Sequence, residues 1–167
     1  MRSLQNPAAS YRRVLAMGRT FAEPAMRLSD TYCTFRVDQL YLGVDVLQVQ
    51  EVIHSLQMTR VPLALRTVRG LINLRGQILT AIDLRRRLNL ADRPVDQLPM
   101  NVVIRTETGP MSLLVDDIGD VVEVDESTFE PRPRTLKGVA SEMINGAFKL
   151  KNGFLLILHI DNVVRPD

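Results

Sequence analysis

The sequence predicts a mostly β protein built as barrels or a sandwich, with two or three short helical pieces. Three observations carry this reading. About nine or ten short segments rich in Val, Ile, Leu, Tyr and Phe recur along the chain at the close spacing of β-barrels and sandwiches. Turn signals such as Asp38-Gln39, Thr108-Gly109-Pro110 and Asn152-Gly153 separate them. No stretch shows the repeating alternation of strand and long helix that a parallel sheet needs.

The elements follow in order. Residues 1–28 read as a flexible basic leader, and 29–167 as the folded domain. Within the leader, Tyr11, Val14 and Leu15 fall at helical spacing, and Glu23-Pro24 ends that stretch. From Thr31 the run TYCTFRV is dense in β formers; Asp38-Gln39 turns the chain, and LYLGVDV returns it. VLQVQEVIH reads either as strand throughout or as a strand joined to a helical turn. Pro62 marks a loop. Gly70 and Gly76 bracket LINLR, which predicts a tight bend or a close backbone approach. QILTAI reads as a buried strand. Asp83 then has the place of a helix N-cap, with Leu84 and Leu88 at i,i+4 and an end near Asn89.

Residues 91–100 form a polar linker with two prolines. NVVIRTE and MSLLVDD are strands joined across Thr108-Gly109-Pro110, and DVVEVD is another. Residues 127–142, with Pro131 and Pro133, read as a long loop. MINGAFKL and FLLILHI give the clearest hairpin, because Asn152-Gly153 between them is the strongest short turn signal. Asn162 to Val164 begin a terminal helix that Pro166 cuts short.

Composition bounds the function. The 167 residues suit one domain, or two very small ones fused. Apolar residues are 46% and charged residues 24%, near globular norms, which excludes wholesale disorder, collagen and coiled coil. The longest strong apolar run is Phe154 to Leu158, too short to span a membrane as a helix. The leader holds five arginines and one acid, Glu23, leaving 16 basic and 18 acidic residues beyond it. The folded part is therefore mildly acidic, and the basic excess lies in the leader. The single cysteine, Cys33, sits within a strand pattern and reads as a buried structural thiol. The N-terminus shows no apolar secretory segment, so the cytoplasm is the expected location.

Signs of catalysis are sparse. No phosphate-binding glycine loop or dinucleotide fingerprint is present. His54 and His159 have no evident nucleophile or carboxylate partner, and His159 reads as a core or edge histidine within a strand. One Cys and two distant His do not make a zinc site. Asp116, Asp117 and Asp120 form the one acidic cluster of note, lack the alternation of a calcium loop, and read as a polar loop between strands. Arg85, Arg86 and Arg87 read as a solvated helix face rather than a phosphate-binding patch, since eight aromatics and no Trp offer little stacking surface. Glu51 lies among apolar neighbours in VQEV, and Arg75 ends an apolar strand just before Gly76. Structural and partner-binding roles are equally open for both.

The segments Gly70-Leu-Ile-Asn73-Leu74-Arg75-Gly76 and Ile82-Asp83-Leu84-Arg85 resemble the signature of CheW-type chemotaxis coupling proteins. Upstream, Tyr41 to Val52 is similar to that family in order and spacing. Downstream, Leu114-Val115-Asp116, Gly119-Asp120-Val121, Ile144-Asn-Gly146 and Leu155 to Asp161 fit it as well. The resemblance covers about residues 30–165. It implies two intertwined five-stranded SH3-like β-barrels around a shared core, no catalysis and no cofactor or metal.

It further implies an adaptor that couples the cytoplasmic tips of chemoreceptors to the regulatory domain of a chemotaxis histidine kinase, in arrays beneath the membrane. No nucleic acid and no direct membrane insertion belong to that picture. Carried onto this chain, the receptor-binding positions are Val49, Glu51 and Val52 on one side of a groove, and Asn73 and Arg75 on the other; Val49 and Gly70 are the kinase-binding positions. Glu51 and Arg75 either fix a bound helix at the rim or pair with each other and hold the groove's shape. Thr80 stands where the family usually has Pro, and Asp117 where it often has Gly. Alternatives are an adaptor of a type IV pilus or other chemosensory pathway, a basic-tailed β-barrel binding nucleic acid, and a metal-dependent hydrolase using Asp116, Asp117 and Asp120.

Overall fold

The computed structural model describes residues 30–131 and 138–166. The leader expected over 1–28 and the middle of the loop around Pro133 lie outside them. The described chain forms twelve strands: β1 (Thr31–Val37), β2 (Leu40–Asp45), β3 (Val49–Ile53), β4 (Met58–Thr59), β5 (Val68–Leu74), β6 (Gln77–Asp83), β7 (Met100–Ile104), β8 (Met111–Val115), β9 (Asp117–Glu123), β10 (Phe129–Pro131), β11 (Ile144–Leu150) and β12 (Gly153–Leu158). Three short helices join them: α1 (Leu84–Arg87), α2 (Val139–Glu142) and α3 (Ile160–Val164).

The strands make two six-stranded sheets, ordered β10-β11-β12-β2-β1-β9 and β3-β7-β8-β6-β5-β4. The chain starts in the first sheet, builds the whole of the second, and returns to finish the first. Each sheet is antiparallel apart from one parallel junction, β12 on β2 and β6 on β8. The mostly β expectation therefore holds, with two layers interleaved along the chain. The strands beyond the expected count include β4 and β10, of two and three residues, too short to give a period-two pattern.

Alternation along the strands places the core. The largest apolar cluster draws Phe35 and Val37 from β1, Val49 from β3, Val102 and Ile104 from β7, Leu113 and Val115 from β8, and Leu156 and Leu158 from β12. It is thus shared by both sheets. Each sheet adds a satellite cluster: Ile72, Leu79, Ala81 and Val103 in the second, and Tyr32, Phe148, Leu155 and Ile157 in the first. Tyr32, Phe148 and Phe129 stack as tilted rings with centroids 5.4 and 5.1 Å apart.

Cys33 lies in the shared core at 0% exposure, and burial, with the charge of Asp45 adding to it, pushes its thiol pKa up. Native protein is expected to resist maleimide labelling and to react once unfolded. Rapid labelling of folded protein at neutral pH would show that β1 opens locally.

Asp83 caps α1 as expected, its Oδ1 accepting from Arg85 N at 3.0 Å. The arginines after it differ from the expected solvated face. Arg85 and Arg87 are buried, at 8% and 6% exposure. Arg85 donates to Asp116 from Nε at 2.9 and 3.0 Å and from Nη2 at 2.7 Å, and its Nη1 reaches Ala91 O at 3.1 Å. Arg93 Nε adds a contact to Asp116 at 2.9 Å, and the backbone N of Asp38 another at 2.6 Å. Asp116 thus joins α1, the 88–99 linker and the β1–β2 turn. Arg87 Nη2 donates to Asn162 O and Arg165 O at 2.7 and 2.8 Å, tying α1 to the end of α3. A four-residue helix packed on β6 and β8 has no wide solvent face, which is why Arg85 and Arg87 turn inward while Arg86 stays at the surface.

The acidic cluster is corrected in the same way. Asp116 is a buried ion-pair partner, while Asp117 and Asp120 lie in β9 rather than in a loop. His159, expected within a strand, is the N-cap of α3, its Nδ1 accepting from Asn162 N at 3.4 Å. Thr80 stands opposite Leu71 in an unbroken stretch of β5–β6 register, so the departure from Pro leaves the pairing intact.

Candidate functional site

The signature segment builds one rim of the second sheet, and each of its residues has a distinct physical task. Leu74 sits 8% exposed in the satellite core and anchors the end of β5. Arg75 and Gly76 then form the two-residue connection to β6, at φ 52° and 85°. Positive φ at both positions is what a tight hairpin of type I′ demands, and glycine meets it without strain. Asn73 braces the turn, its Oδ1 accepting from Gly76 N at 2.8 Å.

The turn aims Arg75 across the sheet's mouth. Glu51 lies on β3, the far edge strand of the same sheet, yet Arg75 Nη1 and Nη2 donate to its Oε1 and Oε2 at 2.7 and 2.9 Å. The sheet therefore curls until its first strand meets the β5–β6 turn. Between the open readings of these two residues, the structure shows the direct pair. The fork is bidentate, the geometry that best fixes a guanidinium on a carboxylate. Hydrogen bonding to Glu51 raises the Arg75 pKa further above its ordinary value. Arg75 keeps 70% of its side chain in solvent and Glu51 23%, which leaves donor and acceptor capacity free for a second molecule.

The other expected positions divide between surface and interior. Asn73 is exposed and Val52 half-buried against the shared core. Val49 is fully buried, so it sets the position of β3 without reaching the surface. Gly70 is buried within β5, just after a bulge, rather than at the strand's end as the glycine bracket suggested. A Cβ there would stand 2.5 Å from the Thr59 carbonyl oxygen, so glycine lets β4 close onto β5. Gly70→Ala is expected to destabilise by about 1–3 kcal/mol through that overlap, read from the urea midpoint. An unchanged midpoint would mean that β4 shifts aside at no cost.

Sequence reasoning missed two exposed aliphatic residues on the segments that flank the ion pair in sequence, one before β3 and one on β6. Ile78 is 59% exposed and pairs with Asn73 in the β5–β6 register; Leu47, 52% exposed, lies in the 3-10 turn that leads into β3. Parity along β6 was the available signal, since Leu79 and Ala81 face the core and Ile78 must face away. Among the described residues no group of three or more His, Cys, Asp or Glu is placed to hold a metal ion. No helix among them is long and apolar enough to cross a membrane.

Residues 31–166 match the family model described as the CheW-like domain. The chain is 28% identical to the chemotaxis protein CheW of Bacillus subtilis over 139 residues, covering 83% of this chain and 89% of that protein. It is 25% identical to the chemotaxis protein CheW of Treponema pallidum over 131 residues, covering 76% and 77%. The crystal structure of the scaffolding protein TtCheW from Thermoanaerobacter tengcongensis superposes with a TM-score of 0.75 at 23% identity, covering 84% of this chain and 95% of that one. The interleaved sheets, the braced Asn73–Gly76 turn and these matches agree: the chain belongs to the CheW-like domain family.

Proposed function

We propose that this chain is a non-enzymatic adaptor in chemotaxis signalling. It couples the cytoplasmic tips of chemoreceptors to the regulatory domain of a chemotaxis histidine kinase, working in the cytoplasm at the receptor arrays. The observation that carries this reading is the bidentate Glu51–Arg75 pair on the curled rim, flanked by exposed Ile78. A receptor tip offers a helical hairpin, and a helix face docks by laying aliphatic anchors along such a rim while charges set its register. Val52, Asn73, Glu51 and Arg75 contribute the receptor-facing surface. Val49 and Gly70 act on kinase binding from beneath, by fixing where β3, β4 and β5 lie.

Titration with the regulatory domain of the organism's own chemotaxis-type kinase, followed by light scattering, is expected to give saturable one-to-one binding. Folded Val49 and Gly70 variants lose it. No binding to any such domain at high protein concentration would overturn the coupling role. The kinase that binds also decides between a flagellar pathway and a type IV pilus pathway.

A further inference from the structure

The loop 60–67 between β4 and β5 lies outside that rim and has features its stability does not explain. It exposes Val61 at 39%, Leu63 at 105% and Leu65 at 43%. Leu63 also stands at φ 61°, a left-handed conformation that leucine disfavours. Neither the hydrophobic effect nor the backbone favours a leucine there.

Beside the loop lies an open pocket of about 260 Å³ lined by Arg60, Arg66, Arg69 and Arg86. Arg86 forks onto Asp92 at 2.9 and 3.2 Å. Arg69 stands 4.0 Å from Asp83, whose carboxylate also caps α1. Arg60 and Arg66 have no carboxylate partner among the described residues. The positive field is felt locally: the Arg86 hydrogen bond holds the Asp92 carboxyl below its usual range, and Arg66 and Arg69 add to the pull. Four guanidinium groups thus face two carboxylates, Asp92 on Arg86 and Asp83 beside Arg69, next to exposed aliphatic side chains.

Charge selects the occupant. Residues 1–28 carry five arginines and one glutamate, and 132–137 add Arg132, Arg134 and Lys137, so these segments of the chain are repelled. Nucleic acid would use the arginines but not the aliphatic tip, and among the described residues no aromatic one lines the pocket for bases to stack on. We propose that loop 60–67 and its arginine pocket dock an acidic segment of a partner protein. Its carboxylates sit on Arg60 and Arg66, and its aliphatic side chains pack on Leu63 and Leu65.

The test is selection from a random-peptide display library with the full chain as bait, followed by anisotropy titration of the selected peptides. Enrichment of acidic peptides carrying Leu or Ile is expected. Their affinity should fall about tenfold or more in R60E/R66E and in L63N, and should weaken steeply with added salt. Asparagine accepts the left-handed backbone, so L63N removes the aliphatic contact without adding strain. R75A should leave peptide binding unchanged, which separates this surface from the rim proposed above. Selection without acidic enrichment, or affinities that the loop variants do not alter, overturns the proposal. So does transfer of the variants' effect to phosphatidylglycerol vesicles, to duplex DNA or to self-association in sedimentation, each of which would name a different occupant.

Discussion

Asp116→Ala is expected to cost about 3 kcal/mol of folding stability or more, a large share of what a domain this size has in hand. The carboxylate is 7% exposed and takes hydrogen bonds from Arg85 and Arg93, whose side chains are 9% and 7% exposed. Its removal strands two buried guanidinium groups. Asp83, 3.9 Å from Arg93, and Asp38, 3.8 Å from Arg85, compensate only in part. Asp38 is 40% exposed and lets some water reach the network, which sets the expectation at the lower end of the range for broken buried pairs. Urea unfolding measures it. A loss below about 1 kcal/mol would mean the network is solvated like a surface pair. The triple replacement of Arg85, Arg93 and Asp116 by aliphatic residues should be less damaging than Asp116→Ala alone, because no charge is then left stranded.

The same network makes stability depend on pH, with a defined sign. Burial acts to raise the Asp116 pKa, but the Arg85 hydrogen bond, the Asp38 backbone N–H and the charges of Arg93 and Arg85 outweigh it, and the net direction is down. A depressed folded-state pKa gives stability that is fully present above the unfolded value, about 3.9. It is lost as pH falls through the folded value. Acid unfolding below about pH 4 should therefore be shallower in Asp116→Asn than in the parent. Equal acid sensitivity of the two would assign the transition to other carboxylates.

How much of this was legible in the sequence follows from the range of each interaction. The β11–β12 hairpin was readable because Asn152-Gly153 is a local turn signal, and the Asp83 cap because it acts two residues away. The order of the Asn73–Gly76 turn was likewise local. Arg85 and Arg93 were not readable: their partner Asp116 is 31 and 23 residues distant, and nothing in a run of three arginines tells inward from outward. The Glu51–Arg75 pair was visible only as two open readings. Which one holds depends on the sheet curling back on itself, a property of strand order rather than of either segment. The closure of β4 onto β5 hid for the same reason, since a two-residue strand leaves no pattern.

The second large effect concerns the rim, and a charge exchange separates its two tasks. Arg75→Glu sets two carboxylates face to face and is expected to abolish receptor binding while leaving the melting temperature nearly unchanged. Arg75 is largely solvated, and an exposed ion pair contributes little to folding. Glu51→Arg combined with Arg75→Glu rebuilds the pair with its polarity reversed. If the pair serves only to hold the rim's shape, the double variant recovers binding. If a docked helix reads the charges themselves, the rim is restored in shape and still presents the wrong sign to its partner. The exposed fraction of Arg75 and its position at the tip of the turn favour the second outcome. The double variant is then expected to regain none of the lost affinity, measured by titration with a receptor-tip fragment. Full recovery would make the fork a brace and leave recognition to Val52, Asn73 and Ile78. Loss of folding in the single variant would instead make the ion pair part of what closes the sheet, with β3 detaching once its link to the β5–β6 turn is broken.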